Sequence, residues 1–166
     1  MSAHINQQRL WDSLMMLAEI GKTAKGGVGR IALTDLDRQG RDLFCTWARD
    51  AGCGIRTDRI GNIFARRLGR NPDAAPVVTG SHLDSQPLGG KFDGAFGVMA
   101  GLEVIRALND AGIETDAPIE VVDWTDEEGA RFAAGCIGSA VFAGMRPLDE
   151  ALGLSDADGV SVEAAL

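Results

Sequence analysis

Two short apolar runs, each ending abruptly in polar residues, dominate the hydrophobic pattern of this chain. The first covers residues 77–79 and stops at the Gly-Ser-His sequence 80–82, and the second covers residues 119–124 (IEVVDW) and stops at Thr125. Such runs are typical of buried parallel strands. Between them, apolar residues recur at helical spacing: Val98, Leu102, Ile105 and Leu108. A strand, a helix and a strand joined by a right-handed crossover predict parallel strands, neighbours or near neighbours, whose carboxyl ends share one rim.

The rest of the pattern predicts an α/β chain with further elements on both sides of this unit. In chain order these are an amphipathic helix over 6–20, a second helix from its cap Thr34 to Arg49, strands over 55–57 and 63–66 around a turn at 58–62, and a short helix over 137–145 followed by a tail with one more amphipathic helix and a loop. The second helix is predicted to bury Leu36, Leu43, Phe44 and Trp47. The small residues Gly94, Gly97 and Gly101 predict a helix packed closely on the sheet.

Length, charge and cysteine content narrow the class of protein. The 166 residues suit one domain, and the net charge of −8 with a pI near 4.7 argues against nucleic acid or an anionic membrane as a partner. Three cysteines without a Cys-x-x-Cys pair predict reduced thiols in a cytoplasmic protein. The N-terminal sequence fits neither a signal peptide nor a membrane span. The glycine-rich stretch 26–29 does not match a phosphate-binding loop.

The candidate chemistry lies directly after the two apolar runs. His82, Asp84 and Asp93 follow the first run on a glycine-rich loop, and Asp126, Glu127 and Glu128 follow the second. Taken singly, His82 could be a buried histidine, Asp84 a turn residue and Asp93 a helix cap. Taken together, converging carboxylates repel one another unless a cation lies between them. The set therefore favours one or two divalent metal ions, and the imidazole favours Zn, Mn, Co or Ni over Ca.

Four segments of the chain resemble a known family. They are LTDLDRQGRDLF, DRIGNIFAR, TGSHLDSQPLGGKFDG and TDEEGARF, of which the last two are the most specific. They resemble the N-terminal part of the amidase branch of the M20 metallopeptidases, which contains N-carbamoyl-L-amino-acid hydrolases, β-ureidopropionases and allantoate amidohydrolases. The short spacing between His82 and Asp93 is the spacing of that branch. Leu88 departs from it, since a small polar residue is expected there.

The resemblance implies a fold and a role for each candidate residue. The fold would be the N-terminal portion of a zinc-peptidase-like catalytic domain, with a mixed, mostly parallel sheet flanked by helices. His82 would bind one metal ion, Asp93 would bridge two, and Glu128 would bind the second, the metals being Zn, Mn, Co or Ni. Glu127 would be the general base, and Asp84 would orient the imidazole of His82.

The resemblance also implies a function. The chain would be a metal-dependent hydrolase of linear C–N amide bonds that removes the carbamoyl group from N-carbamoyl-L-amino acids or acts on a related ureido substrate. The alternatives are an M20- or M28-like aminopeptidase or deacylase, which the short spacing disfavours, and a catalytically inactive truncated remnant.

Length is the main departure from this family, whose members are more than twice as long. They add two metal ligands and a lid domain that forms the homodimer. Residues 1–166 are therefore expected to be an incomplete catalytic domain without amidase activity of its own.

Overall fold

A computed structural model describes residues 2–166 of the chain. Six helices and four strands follow one another as α1 (Gln7–Glu19), α2 (Asp35–Asp50), β1 (Gly54–Thr57), β2 (Ile63–Arg67), β3 (Val77–Ser81), α3 (Ala95–Asp110), β4 (Ile119–Asp123), α4 (Ile137–Phe142), α5 (Leu148–Leu152) and α6 (Val162–Ala165). The predicted elements are confirmed in type and order up to α4, whereas the tail, predicted to form one helix and a loop, forms the two short helices α5 and α6. The predicted helix over 137–145 ends earlier, at Phe142, and Gly144 follows with a φ of 70°.

The strands form one four-stranded mixed sheet in the order β1-β2-β4-β3. β3 and β4 pair in parallel, as the strand–helix–strand pattern predicts, whereas β1–β2 and β2–β4 pair antiparallel. The mixed sheet is thus confirmed, but parallel pairing is not in the majority among the described strands. The tight turn at 58–62 accounts for the β1–β2 pair, because a short connection between neighbouring strands makes an antiparallel hairpin. β3 and α3 separate β2 from β4 along the chain, so the antiparallel pairing of these two strands has no local signal in the sequence.

The two apolar runs differ in burial. β4 is buried from Glu120 to Asp123, as predicted. The prediction of a buried strand is wrong for β3, where Val77 is 62% and Val78 43% exposed. Within residues 2–166, β3 pairs only with β4 and is an edge strand. An apolar run alone does not reveal how many neighbours its strand has.

Helix α3 lies close against the parallel strands along its small residues. A Cβ atom at Gly97 would stand 2.7 Å from the Cβ of Ser81, and one at Gly101 would stand 3.1 Å from side-chain carbons of Thr79 and Val121. These contacts confirm the predicted glycine seam. They place the first turn of α3 beside the end of β3, where the candidate site begins.

Helices α1 and α2 complete the layer on that face of the sheet, with Leu14, Leu17 and Phe44 in the main core. Thr34 caps α2 as predicted, its hydroxyl accepting from the amide of Asp37. Leu36 is 39% exposed and does not belong to the buried face that the sequence predicts. No helix among residues 2–166 is long and apolar enough to cross a membrane.

Candidate active site

His82 follows the end of β3 and is held by the residues directly after it. Its side chain is 6% exposed, and its Nδ1 donates to the backbone carbonyl of Asp84 over 2.9 Å. That bond directs Nε2 away from the backbone, to a point 3.2 Å from Oε2 of Glu127. Burial lowers the pKa of His82, but the hydrogen bonds and charge of Asp84, with the charge of Glu127, outweigh it and raise the pKa to about 9.

Asp84 joins the two loops that the sequence predicts to share one rim. Its buried carboxylate accepts from the backbone amides of Glu127 and Glu128, each over 3.3 Å. The same carboxylate lies 3.5 Å from Nδ1 of His82. The predicted contact between Asp84 and His82 is therefore present, mainly through the carbonyl of Asp84. The contact of its carboxylate with the second loop was not predicted from the sequence.

The second loop turns sharply directly after β4. Asp126 adopts a left-handed conformation with a φ of 49°, and Glu127 follows with a side chain that is 36% exposed. The carboxylate of Glu128 accepts from Nε2 of Gln86 over 2.9 Å. Gln86 is a contact of the site that no sequence motif singles out. The thiol of Cys136 lies 3.6 Å from the other oxygen of Glu127.

Asp93 lies on the exposed turn before α3 and is not the cap of that helix, since the cap position is taken by Gly94. Gly94 has a φ of 62°, and a Cβ there would approach the carbonyl and the imidazole of His82 to about 2.5 Å. The chain next to Asp93 therefore passes directly over the ring of His82. Only glycine allows that approach.

The donor atoms fit a divalent cation in type but do not form a finished site. One imidazole nitrogen of His82 is fixed by a carbonyl and the other faces the carboxylate of Glu127, which is the arrangement of a metal-binding histidine. Among residues 2–166, however, no three His, Cys, Asp or Glu side chains are arranged to hold a metal ion. The structure brings His82, Asp84, Glu127 and Glu128 together. The metal-ligand roles of His82, Asp93 and Glu128 stay predictions.

A layer of buried charged side chains lies in and next to the two loops. Burial raises the pKa of both Asp123 and Asp126 to about 7 and that of Asp37 to about 6, although Arg41 opposes the shift at Asp37 and Asp123. Nε of Arg41 is 3.4 Å from the carboxylate of Asp123, and the Asp126 carboxylate has no hydrogen-bond partner within the described residues. The sequence gives no signal for this layer because acidic residues are ordinarily exposed.

The glycine-rich stretch 26–29 forms backbone hydrogen bonds with the loop that carries His82. The amide of Val28 donates to the carbonyl of Gly89 over 3.0 Å, and the amide of Gly89 donates back over 2.9 Å. Directly after this stretch, the side chain of the buried Arg30 donates to the carbonyl of Leu83. These bonds occupy backbone amides of the stretch, which agrees with the rejection of a phosphate-binding loop.

Comparison with known proteins identifies similar chains. The model of peptidase family M28 matches residues 62–163. An N-carbamoyl-L-amino-acid amidohydrolase of Rhizobium meliloti is 52% identical over 157 residues, which make up 95% of this chain and 38% of that protein. A ureidoglycolate hydrolase of Arabidopsis thaliana is 34% identical over 161 residues, or 97% of this chain and 34% of that one. A crystal structure of a hydantoinase/carbamoylase family amidase from Burkholderia ambifaria superposes with a TM-score of 0.98 at 60% identity, over 99% of this chain and 40% of that one.

These relatives confirm the α/β fold and the resemblance to the amidase branch that the sequence segments indicate. The chain spans less than half the length of each of them. The matched region 62–163 includes both loops of the candidate site.

Proposed function

The chain belongs to peptidase family M28, and we propose that within it the chain supplies the catalytic loops of a metal-dependent amidohydrolase that removes the carbamoyl group from N-carbamoyl-L-amino acids. The named relatives support this choice, since one is an N-carbamoyl-L-amino-acid amidohydrolase and another a ureidoglycolate hydrolase. Both names describe hydrolysis of a ureido group. The activity, the substrate and the partners of the whole protein are part of this proposal, and so is the assignment of residues 1–166 to a catalytic domain.

One observation carries the proposal: Nε2 of the buried His82 stands 3.2 Å from the carboxylate of Glu127. Asp84 supports this contact from both sides, because it fixes the imidazole through its carbonyl and the second loop through its carboxylate. The proposed metal-ligating imidazole and the proposed general base are thus held on one rim of the sheet by a residue that touches both. Such preorganisation is what hydrolysis of a stable amide requires.

The residues proposed to hold two divalent cations are His82, Asp93 and Glu128. When bound, such a pair would lower the pKa of water and polarise the substrate carbonyl. His82 suits this role because its Nδ1 is already engaged, which leaves Nε2 as the ligating atom. Zn, Mn, Co or Ni fits a donor set of one imidazole and several carboxylates.

Glu127 is proposed to carry the proton. Its carboxylate is partly exposed, so that it can reach a water molecule from the solvent, while its backbone is held by Asp84. Glu127 would accept a proton as the water oxygen bonds to the carbamoyl carbon. It would then deliver that proton to the departing nitrogen as the C–N bond breaks.

A second candidate function is an aminopeptidase, because the matched family is one of peptidases. Both functions would use the same residues, and they differ in the substrate. A panel of N-carbamoyl-L-amino acids and aminoacyl anilides, each with Mn²⁺, Co²⁺ or Zn²⁺, separates them. It is assayed with the 166-residue chain and with a chimera in which this chain replaces the matching 38% of the Rhizobium meliloti amidohydrolase. We expect turnover of the carbamoyl compounds in the chimera, whereas turnover of anilides alone would favour the peptidase.

A further inference from the structure

One fully buried side chain, Asn62, connects three separate segments beneath the candidate site. Its Nδ2 donates to the carboxylate of Asp58 over 2.9 Å and to the carbonyl of Gly138 over 3.0 Å. Its Oδ1 accepts from the backbone amide of Thr125 over 3.0 Å. Asn62 therefore joins the β1–β2 turn to the loop after β4 and to the first turn of α4. It is a buried polar group with both donors and its acceptor in use.

The backbone of Gly138 packs so closely against Asn62 and Thr125 that a side chain at position 138 would not fit. A Cβ atom at Gly138 would stand 2.0 Å from Oδ1 of Asn62 and 2.7 Å from the amide nitrogen of Thr125. Asp58 in turn fixes Asn62, since its carboxylate also accepts from the amide of Asn62 over 2.9 Å. The amide group of Asn62 is thus clamped in one orientation by its own turn. The remaining donor of this amide group bonds to Gly138 in α4, and its oxygen accepts from Thr125 in the loop after β4.

The loop after β4 (residues 125–127) and the start of α4 (residues 136–138) run alongside each other, with Asn62 at one end and Glu127 at the other. Three consecutive backbone hydrogen bonds join them: Gly138 to Thr125 over 2.9 Å, Ile137 to Asp126 over 3.2 Å, and Cys136 to Glu127 over 2.8 Å, the amide being named before the carbonyl in each pair. Asn62 bonds both members of the pair at one end of this ladder, and the carbonyl of Glu127 is held at the other end. The amide of Glu127 is held by Asp84.

We infer that Asn62 is a positioning residue for Glu127. By bonding Thr125 and Gly138 together it fixes the register of the ladder, and the ladder fixes the backbone from which the Glu127 carboxylate projects toward His82. This inference deepens the proposed function and rests on it. Asn62 itself touches neither the imidazole of His82 nor the carboxylate of Glu127, and it acts only through the loop.

The test compares Asn62→Ala and Asn62→Asp with the parent chain, and Asn71→Ala serves as the control on an exposed loop. Aspartate fills the same volume as asparagine but has at most one donor, so it cannot bond to both Asp58 and Gly138, and it separates hydrogen bonding from packing. Backbone amide hydrogen exchange is measured without metal or substrate. We expect the amides of Cys136, Ile137 and Glu127 to lose protection by about tenfold or more in both variants.

In the same variants the amides of α3 should keep their protection, and the control should match the parent throughout. Unchanged exchange at Glu127 would overturn the inference. So would an equal loss of protection in α3, since Asn62 would then serve the fold as a whole, and so would parental behaviour of Asn62→Asp, which would reduce Asn62 to a space filler.

A kinetic measurement in the chimera tests the consequence for Glu127. Displacement of a proton carrier slows the chemical step more than it weakens substrate binding, so we expect kcat to fall about 10–100-fold with KM nearly unchanged. A rise in KM with unchanged kcat would contradict the positioning role. If the parent chimera itself shows no turnover, the proposed function fails, while the exchange measurement still decides whether Asn62 holds Glu127.

Discussion

Replacing Asp123 by asparagine should remove a defined part of the pH dependence of stability. Asp123 ends β4 and is 1% exposed. The charged groups that act on it are Arg41, whose Nε lies 3.4 Å away, and the carboxylates of Asp37 and Asp84. Burial and the two acidic neighbours outweigh Arg41, so the pKa of Asp123 rises to about 7.

The size and sign of the effect follow from this pKa. In the unfolded chain Asp123 loses its proton near pH 4, whereas in the folded chain it keeps it up to about pH 7. The folded state binds more protons across that window, so the free energy of unfolding falls as pH rises through it. The full difference corresponds to about 4 kcal/mol, of which about 3 kcal/mol falls between roughly pH 4.5 and 7.5.

Urea unfolding at a series of pH values, followed by circular dichroism, measures this contribution. Relative to the parent, the free energy of unfolding of Asp123→Asn should increase as pH rises, by about 3 kcal/mol over that range, because asparagine does not ionise. The exposed Asp73→Asn serves as the control and should run parallel to the parent. A constant difference between Asp123→Asn and the parent at every pH would refute the reasoning.

Three further substitutions test the site and the packing beneath it. Asp93→Ala should lose bound metal by elemental analysis, since Asp93 is the proposed bridging ligand; metal content equal to the parent would contradict the assignment. Asp84→Asn should weaken metal affinity about 10–100-fold, because the variant cannot accept from both amides of the second loop; identical titration curves would reduce Asp84 to a turn residue. Gly97→Ala should destabilise the chain by about 1–3 kcal/mol in urea unfolding, since its methyl would meet Ser81 at 2.7 Å, and an unchanged midpoint would show that α3 can shift freely.

The sequence predicts the parts of this structure that depend on local pattern. The parallel pairing of β3 with β4 follows from the strand–helix–strand order, and the meeting of His82 with Glu127 follows from that pairing. The exposure of β3 could not be predicted, because it depends on which strands lie beside it rather than on its own residues. An apolar run has the same appearance at the edge and in the centre of a sheet.

The buried polar contacts are the other part that the sequence does not reveal. From the sequence pattern alone, Asn62 is an ordinary turn residue and Asp123 is the polar end of a strand. Their roles arise from groups 63 residues away for Asn62 and from a neighbouring helix for Asp123. Spacing along the chain carries no information about such contacts, whereas the short spacing of His82 and Asp84 does.

The most direct test of the central claim is turnover of an N-carbamoyl-L-amino acid by the chimera and by its Glu127→Gln variant, with metal content measured on the same samples. Glutamine keeps the size of the side chain but cannot accept a proton, so the variant should retain its metal and lose turnover by about 100-fold or more. The control Asn71→Ala should match the parent in both measurements. Turnover of Glu127→Gln equal to that of the parent, or a parent that is silent on every carbamoyl substrate with each metal, would contradict the account.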